Sequence, residues 1–398
     1  MKKTFFLLTG VLFVLLFLGC PNATETPKSN DARLQSLEVS EGSLSPPFAE
    51  DIFDYTVTVP NSVTSLTVTG EKADAFATMT PSDGKLSFTN LSVGTSDEQT
   101  IKVTAEDGTT IQEYKVKVLQ KLLEMVLVPP GSFQRDGTAI NISVITKPYY
   151  LGKYPITRQQ FEDVMGRDPS YEFNEETDES LPVQMVNWYH AIAFCNKLSL
   201  LEGLTPAYTV SRVSNWAELA FDSIPTSTSD ANYNAWKDAE CNWDADGYRL
   251  PTEMEWMWAA MGAPADGQDE GINRTGYTKA YAGAGTNSIG DYAWYDENSD
   301  DKTHPVGGKR PNELGLYDMS GNVEEWCWDW DNPQTGKRTD DRGVSSGSYR
   351  VVRGGSWHSD ASFCTVASRN DDYSYIWNDY YPYIRKNYRG FRVLRPVL

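Results

Sequence analysis

Few residues of this chain have types and spacing that could support catalysis. The three histidines, His190, His304 and His358, are far apart in the sequence and show no metal-ligand spacing. No two cysteines form a C-x-x-C pair, so a structural zinc site is not expected, and the sequence leaves any disulfide pairing open. The five cysteines are Cys20, Cys195, Cys241, Cys327 and Cys364.

One turn is rich in oxygen atoms that suit a hard cation. The stretch GLYDMSGNVEEW offers the carboxylates of Asp318 and Glu325 and the carbonyls of Gly321 and Val323. Oxygen ligands at such spacing are typical of calcium sites. We therefore predict structural calcium at these four residues. The alternative is a hydrogen-bonded turn that holds no ion.

The C-terminal part of the chain is crowded with Tyr, Asn, Asp and Ser. Residues 370–384 read NDDYSYIWNDYYPYI, and only Ile376 and Ile384 among them are aliphatic. Tyrosine supplies a large, rigid contact area, and Asn, Asp and Ser supply adaptable hydrogen bonds. The charged pair of Asp371 and Asp372 resists burial, and so does the polar pair at residues 378–379. The composition predicts an exposed binding surface rather than a core.

The overall composition limits the number of domains and the classes of protein to which the chain can belong. With 398 residues, 40% of them hydrophobic, the chain is long enough for two or three domains. Its formal net charge of -20 argues against nucleic-acid binding, which needs basic surface.

The N-terminus resembles a bacterial lipoprotein signal. Two lysines precede the apolar stretch FFLLTGVLFVLLFLG, which ends before Cys20, although Phe17 stands where leucine is usual. We predict a signal peptide over residues 1–19, lipidation of Cys20 and a flexible tether over residues 20–33. An uncleaved anchor is the alternative, but the stretch is short for a spanning helix.

Short segments with alternating apolar residues follow, separated by turn residues such as PSDG and EDGTT. Tyr55, Val57 and Val59 alternate with threonines, as Ile101, Val103 and Ala105 alternate with polar residues. This pattern predicts a small all-β sandwich over residues 34–119. It resembles the cadherin-like, immunoglobulin-type modules of bacterial surface proteins and is interpreted as a spacer.

Helices are expected at three places in the rest of the chain. Thr157 is a candidate N-cap for TRQQFEDVMG, and Thr252 is one for a helix that carries Glu253 and Glu255 in its first turn. In NWYHAIAFCNKLSLLEG, helical spacing places Cys195 on an apolar face, which predicts a core residue rather than a nucleophile.

Four stretches in a fixed order carry a family resemblance: MVLVPPGSF, GYRLPTEMEWMWAA, NELGLYDMSGNVEEW and VVRGGSW followed by GFRV. Together they resemble the formylglycine-generating enzyme/sulfatase-modifying-factor domain over residues 123–398. The resemblance implies an α+β C-type lectin fold with small sheets, two helices and much ordered loop. It also implies that the positions matching the oxygen-rich turn bind calcium.

Enzymes of this family use two cysteines, five residues apart, that bind copper and with oxygen oxidise a cysteine of a sulfatase. By the resemblance, the second position is Cys364 and the first is Ser359. Serine cannot supply the soft thiolate that Cu(I) needs. We therefore expect neither copper nor this catalysis.

A narrower resemblance connects the C-terminus, about residues 351–398, to variable lectins that are encoded with diversity-generating retroelements. Their mutagenesis yields Asn, Asp, Tyr, Ser, His or Phe but not Lys, Glu, Gln, Met or Trp, and Lys, Glu, Gln and Met do not occur between His358 and Ile384. Trp377 is an exception. The candidate variable and ligand-binding residues are His358, Ser359, Asp360, Ser362, Phe363, Asn370, Asp371, Asp372, Tyr373, Ser374, Tyr375, Asn378, Asp379, Tyr380, Tyr381, Tyr383, Asn387 and Tyr388.

The sequence thus predicts a lipid-anchored protein of the cell envelope, on the outer-membrane surface, that binds a ligand through an inactive lectin scaffold. A protein ligand is expected because flat, Tyr-rich surfaces suit proteins, and carbohydrate stays open because aromatic faces also stack on sugars. Two alternatives remain: an active formylglycine-generating oxidase and a structural envelope protein.

Overall fold

A computed structural model describes residues 26–60, 63–91, 96–172, 178–263, 271–283, 288–332, 335–369 and 380–397. The predicted signal peptide and Cys20 lie outside the described residues. Within these ranges, no helix combines the length and the apolar character that crossing a membrane requires.

Over its described residues, the N-terminal part is a two-sheet β-sandwich built from eight strands. Its sheets have the strand orders β1-β4-β6 and β2-β3-β8-β7-β5. The strands are β1 Leu34–Val39, β2 Ser43–Ser45, β3 Asp54–Pro60, β4 Ser65–Lys72, β5 Thr78–Thr80, β6 Lys85–Thr89, β7 Ser96–Thr104 and β8 Ile111–Lys121.

Strict alternation explains why these segments form strands. In β3, Tyr55, Val57 and Val59 are buried and the threonines between them are half-buried, as the sequence predicts. The two alternating segments named from the sequence are confirmed as strands β3 and β7. Buried residues from both sheets form one core. Within it, the backbone N–H of Leu34 donates a hydrogen bond to the Tyr114 hydroxyl at 3.0 Å.

In the part of the chain that the structure describes, the C-terminal domain has four α-helices and four small sheets joined by long loops. The sheets have the orders β15-β10-β11-β17, β20-β12-β9, β13-β14 and β18-β16-β19. The elements are β9 Met125–Val128, β10 Gly131–Gln134, β11 Ile142–Ile145, β12 Tyr149–Gly152, α1 Arg158–Met165, α2 Trp188–Leu201, β13 Tyr208–Thr209, α3 Tyr233–Lys237, β14 Glu240–Cys241, α4 Glu253–Ala260, β15 Ile272–Asn273, β16 Glu324–Trp330, β17 Arg338–Thr339, β18 Arg350–Arg353, β19 Arg389–Gly390 and β20 Leu394–Pro396.

Side-chain caps set where the longer helices begin. Thr157 caps α1 and Thr252 caps α4, each in a reciprocal pair with the residue three positions on, so both predicted caps are confirmed. Asn187 caps α2 in the same way with His190. Cys195 of α2 is fully buried, as predicted for a core residue.

The hydrophobic core of the C-terminal part lies on both faces of β16. Neighbouring residues of a strand point to opposite faces. Trp326 belongs to a cluster with α2, and Cys327 belongs to a second cluster with α4. This strand is therefore buried on both sides, and whatever pairs with it is held inside the domain.

Candidate ligand-binding site

The candidate site is built on the C-terminal loop, which we define as residues 354–388, described over 354–369 and 380–388. The loop leaves from the end of β18 and returns at β19. Both strands pair with β16, since Glu325 is opposite Arg353 on one side and Glu324 is opposite Arg389 on the other. One buried strand therefore holds both ends of the loop.

Two buried ion pairs join the returning end to β16. Arg389 donates from Nε at 3.0 Å and Nη2 at 2.8 Å to Oε2 of Glu324. Arg392 donates from Nε at 2.7 Å to Oε2 and from Nη2 at 2.6 Å to Oε1 of Glu325. The indole Nε1 of Trp256 also donates to Glu325 Oε2 at 2.7 Å. Such paired geometry is what makes buried charge tolerable.

A third buried arginine holds the outgoing half of the loop. Arg353 donates to the carbonyl oxygens of Val366 at 2.9 Å, Ala367 at 3.1 Å and Ser368. Arg369 then pairs with Glu253 of α4 at 2.7 Å. Loop backbone that lacks a strand partner is thus satisfied by guanidinium donors.

The first turn of the loop is closely packed. Gly355 has φ +69°, and a Cβ there would lie 2.9 Å from the Cys364 sulfur. The Ser359 hydroxyl accepts from the Ser356 backbone N–H at 3.0 Å. Cys364 is fully buried, and burial raises the pKa of its thiol to about 12. A thiol with that pKa is protonated at neutral pH and is a poor nucleophile and metal ligand.

The predicted variable residues in the described part of the loop differ in their exposure to solvent. His358, Asp360 and Ser362 are exposed, and a second group is half-buried. The half-buried residues are Phe363, Tyr381, Tyr383, Asn387 and Tyr388. The predicted positions Asn370, Asp371, Asp372, Tyr373, Ser374, Tyr375, Asn378 and Asp379 lie outside the described residues.

Two predicted surface residues are buried, which corrects the sequence-based assignment. Tyr380 is 1% exposed and belongs to the core cluster around α2, where the Arg389 guanidinium lies 4.9 Å from its ring centre. Its carbonyl accepts from the Arg350 N–H at 3.0 Å. Ser359 is 6% exposed because its hydroxyl is turned toward Ser356. Both residues support the loop rather than face a ligand.

Two half-buried tyrosines of the loop, Tyr381 and Tyr383, form a continuous aromatic patch with Tyr349 and Tyr233. Tyr381 contacts Tyr349 and Tyr383 at ring-centre distances of 4.7 and 5.3 Å, and Tyr383 contacts Tyr233 at 5.7 Å. We call these four residues the tyrosine row. The sequence-based prediction missed Tyr233 and Tyr349, because nothing in their own segments indicates that they join the C-terminal loop.

The four predicted calcium ligands do not fit a calcium site. Both carboxylate oxygens of Glu325 are engaged by Arg392, and Asp318 Oδ2 accepts from the Gly307 N–H at 2.7 Å. Burial raises the pKa of Asp318 to about 6, which disfavours the charged form. Among the described residues, no group of three or more His, Cys, Asp or Glu is placed to hold a metal ion. The geometry favours the hydrogen-bonded turn, which also includes Gly321 and Val323.

Together, the sandwich and the C-terminal domain define the class of the protein: an α+β domain with the C-type lectin fold of the formylglycine-generating type, preceded by a cadherin-like sandwich. The sulfatase-modifying factor enzyme 1-like domain matches residues 111–397, and the cadherin-like beta sandwich domain matches residues 34–121. The chain therefore belongs to the sulfatase-modifying factor enzyme 1-like family.

Among solved structures, the chain is similar to Treponema denticola variable protein 1, with a TM-score of 0.57 and 34% identity over 75% of this chain and 99% of that one. The chaperone protein LppX of Paenibacillus barcinonensis is 35% identical over 61% of this chain and 82% of its own length. The formylglycine-generating enzyme of Thermomonospora curvata is 37% identical over 34% of this chain and 48% of its own length.

Gly321 tests the close packing of the turn at residues 318–323. Its φ is +75°, and a Cβ there would lie 2.2 Å from the Trp294 carbonyl oxygen, whereas Gly315, with φ +83°, has nothing within 4 Å. Both alanine substitutions incur backbone strain, but Gly321→Ala also overpacks the turn. We expect Gly321→Ala to lower the free energy of unfolding in urea by about 2 kcal/mol more than Gly315→Ala. Equal losses would contradict this packing.

Glu325→Gln tests the buried pair with Arg392. The change leaves a buried guanidinium without its counter-charge, and we expect it to lower the free energy of unfolding by about 3–5 kcal/mol. The control is Glu124→Gln, which breaks an exposed pair with Lys153 and should cost less than about 1 kcal/mol. Urea denaturation followed by tryptophan fluorescence measures both. A loss near that of the control would show that the buried pair does not hold β16 and the returning chain together.

Proposed function

We propose that this protein is a lipid-anchored surface receptor whose inactive formylglycine-type domain binds a protein ligand through a diversified C-terminal loop. The observation that carries the proposal is the contrast within the loop. Buried arginines hold its backbone, while His358, Asp360 and Ser362 are exposed and the tyrosine row is half-buried. Such a surface can change its side chains without changing its support.

The absence of catalysis is part of the same proposal. The hydroxyl of Ser359 stands where the family's first cysteine is expected, and a hydroxyl is a poor ligand for copper. The remaining thiol, Cys364, is fully buried and has a pKa of about 12. The similarity to a variable protein supports a binding role. Lipidation at Cys20 and a place on the outer-membrane surface rest on the N-terminal sequence.

A protein is the favoured ligand because of the shape and chemistry of the tyrosine row. Tyr349, Tyr381 and Tyr383 present neighbouring rings along one surface. Tyrosine is enriched at protein-binding hot spots because it combines apolar area with a hydroxyl at a small loss of conformational entropy. The net charge of -20 disfavours nucleic acid and other polyanions as partners.

The double variant Tyr381→Ser/Tyr383→Ser tests the binding face. The purified protein without residues 1–19 is screened on a protein array and a glycan array, and hits are measured by surface plasmon resonance. We expect protein hits whose affinity falls at least about tenfold in the double variant, because buried aromatic contacts dominate binding energy.

The matched control is Tyr150→Ser, which removes a tyrosine that is 38% exposed on β12 and should leave the affinity unchanged. Binding that the double variant retains in full would contradict the assignment of this face. Hits confined to glycans would replace a protein ligand with a carbohydrate.

The absence of oxidase activity is tested directly. The protein is incubated with copper, oxygen and a sulfatase peptide that contains the target cysteine, and mass spectrometry measures conversion to formylglycine. We expect no product, because Ser359 cannot supply the thiolate of the family's first cysteine. A catalytically active member of the family is the positive control. Product formed by this protein would exclude the inactive assignment.

A further inference from the structure

A cavity of about 520 Å³ lies between the sandwich and the C-terminal domain. One wall is the outer face of the sandwich sheet that contains β3 and β8, and it carries Thr58, Lys117, Leu119 and Lys121. The other wall is the C-terminal end of α2 with the turn that follows it, together with Arg395 of β20. Small-molecule sites often lie between domains, and this volume is in their range.

The junction between the two domains holds the walls in place. Only residues 122–124 separate β8 from β9, and the first two of them are buried in the core cluster around α2. The Leu122 carbonyl accepts from Gln160 Nε2 at 3.1 Å, and the Glu124 carbonyl accepts from the Lys153 N–H at 2.9 Å. A short junction with buried side chains and a hydrogen-bonded backbone leaves little local freedom.

Alternation along β8 turns its basic residues toward the cavity. Val116 and Val118 are fully buried in the sandwich core, so Lys117, Leu119 and Lys121 point to the opposite face of the sheet. Both lysines are half-buried, and within the described part of the chain neither forms an ion pair. Two positive groups therefore face one cavity in a protein whose net charge is -20.

One carboxylate, that of Glu202, also lines the cavity, and it is engaged within the protein. Its Oε2 accepts from the Tyr248 hydroxyl at 2.9 Å, and its Oε1 is buried. Burial raises the pKa of Glu202, while the positive charges of Lys121 and Arg395 act in the opposite direction. Glu98 of β7, the strand beside β8, is exposed and does not line the cavity. The basic side chains therefore outnumber the carboxylate in the wall.

Apolar side chains complete the lining. Leu200 and Leu201 are the last two residues of α2 and are 39% and 40% exposed, and Leu204 follows the turn at Gly203. Together with Leu119 of β8, they give one cavity both apolar surface and positive charge. A ligand that covers the two neighbouring leucines removes apolar area from water, which favours its binding.

We propose that this cavity binds a single-chain amphiphile with an anionic head, either a fatty-acid carboxylate or an alkyl phosphate. Lys117 and Lys121 bind the head by charge-assisted hydrogen bonds, and Arg395 adds positive charge. The leucines of α2 and β8 cover the alkyl chain. The inference does not depend on the proposed function, because it concerns neither the tyrosine row nor a protein partner.

Isothermal titration calorimetry of the purified protein with sodium octanoate, 1-octanol and sodium acetate, at constant ionic strength, tests the cavity. We expect saturable binding of octanoate, weaker binding of 1-octanol and none of acetate. The double variant Lys117→Gln/Lys121→Gln should lower the affinity for octanoate at least about tenfold, since charge-assisted hydrogen bonds are lost, and should leave that for 1-octanol unchanged. The control Lys85→Gln/Lys102→Gln changes two sandwich lysines outside the cavity and should bind octanoate as the native protein does.

The apolar part of the lining is tested by Leu200→Asn/Leu201→Asn. This variant should weaken the binding of both octanoate and 1-octanol while circular dichroism shows native structure, because the alkyl chain loses its cover. The control Leu127→Asn changes a leucine of β9 that is 51% exposed outside the cavity, and it should bind both ligands normally. If the double leucine variant does not fold, the double lysine variant decides.

Octyl phosphate distinguishes the two kinds of head. Tighter binding of octyl phosphate assigns a phosphate, and tighter binding of octanoate assigns a carboxylate. The proposal would be overturned if neither amphiphilic anion bound saturably, if acetate or 1-octanol bound as tightly as octanoate, or if the double lysine variant kept its affinity. Any of these results would leave the tyrosine row untouched.

Discussion

The pairing of two adjacent glutamates of β16 with two arginines of the returning chain is the constraint on which the C-terminal domain depends. Glu324 and Glu325 are on opposite faces of a strand that is buried on both sides, and each would be an isolated buried charge without Arg389 or Arg392. Because Arg389 is in β19 and Arg392 lies two residues beyond its end, satisfying both carboxylates fixes the register of that strand. The end of the C-terminal loop is thereby fixed as well.

This anchoring explains how the described parts of the loop, residues 354–369 and 380–388, can combine a fixed backbone with exposed side chains. A loop usually loses order when its side chains face solvent, because few apolar contacts offset the entropy of its backbone. Here buried side chains hold the backbone by hydrogen bonds. Arg353 donates to the carbonyl oxygens of residues 366–368, and Trp357 Nε1 donates to the Asn387 carbonyl at 3.1 Å. The residues that give order are therefore different from those that face outward, and His358 or Tyr381 can be replaced without removing an anchor.

Much of the fold followed from the sequence, because its signals are local. Alternation identified β3, and the caps Thr157 and Thr252 identified α1 and α4. The site was predicted less completely, because its contacts join distant segments. Composition could not separate buried Tyr380 from half-buried Tyr381, and Glu325 was interpreted as a calcium ligand because its partner arginine lies 67 positions away.

The same scaffold suits an enzyme and a binding protein for one physical reason. Catalysis at this turn needs an accessible thiolate pair, whereas binding needs only that the turn keep its shape. Burial holds the thiol of Cys364 protonated, and the Ser359 hydroxyl is used in the hydrogen bonds of the turn. Groups that would be reactive in an enzyme thus serve as packing and turn contacts. Under the proposed function, the side chains outside the turn contact the ligand, and the two buried glutamate–arginine pairs hold the loop whichever residues occupy those positions.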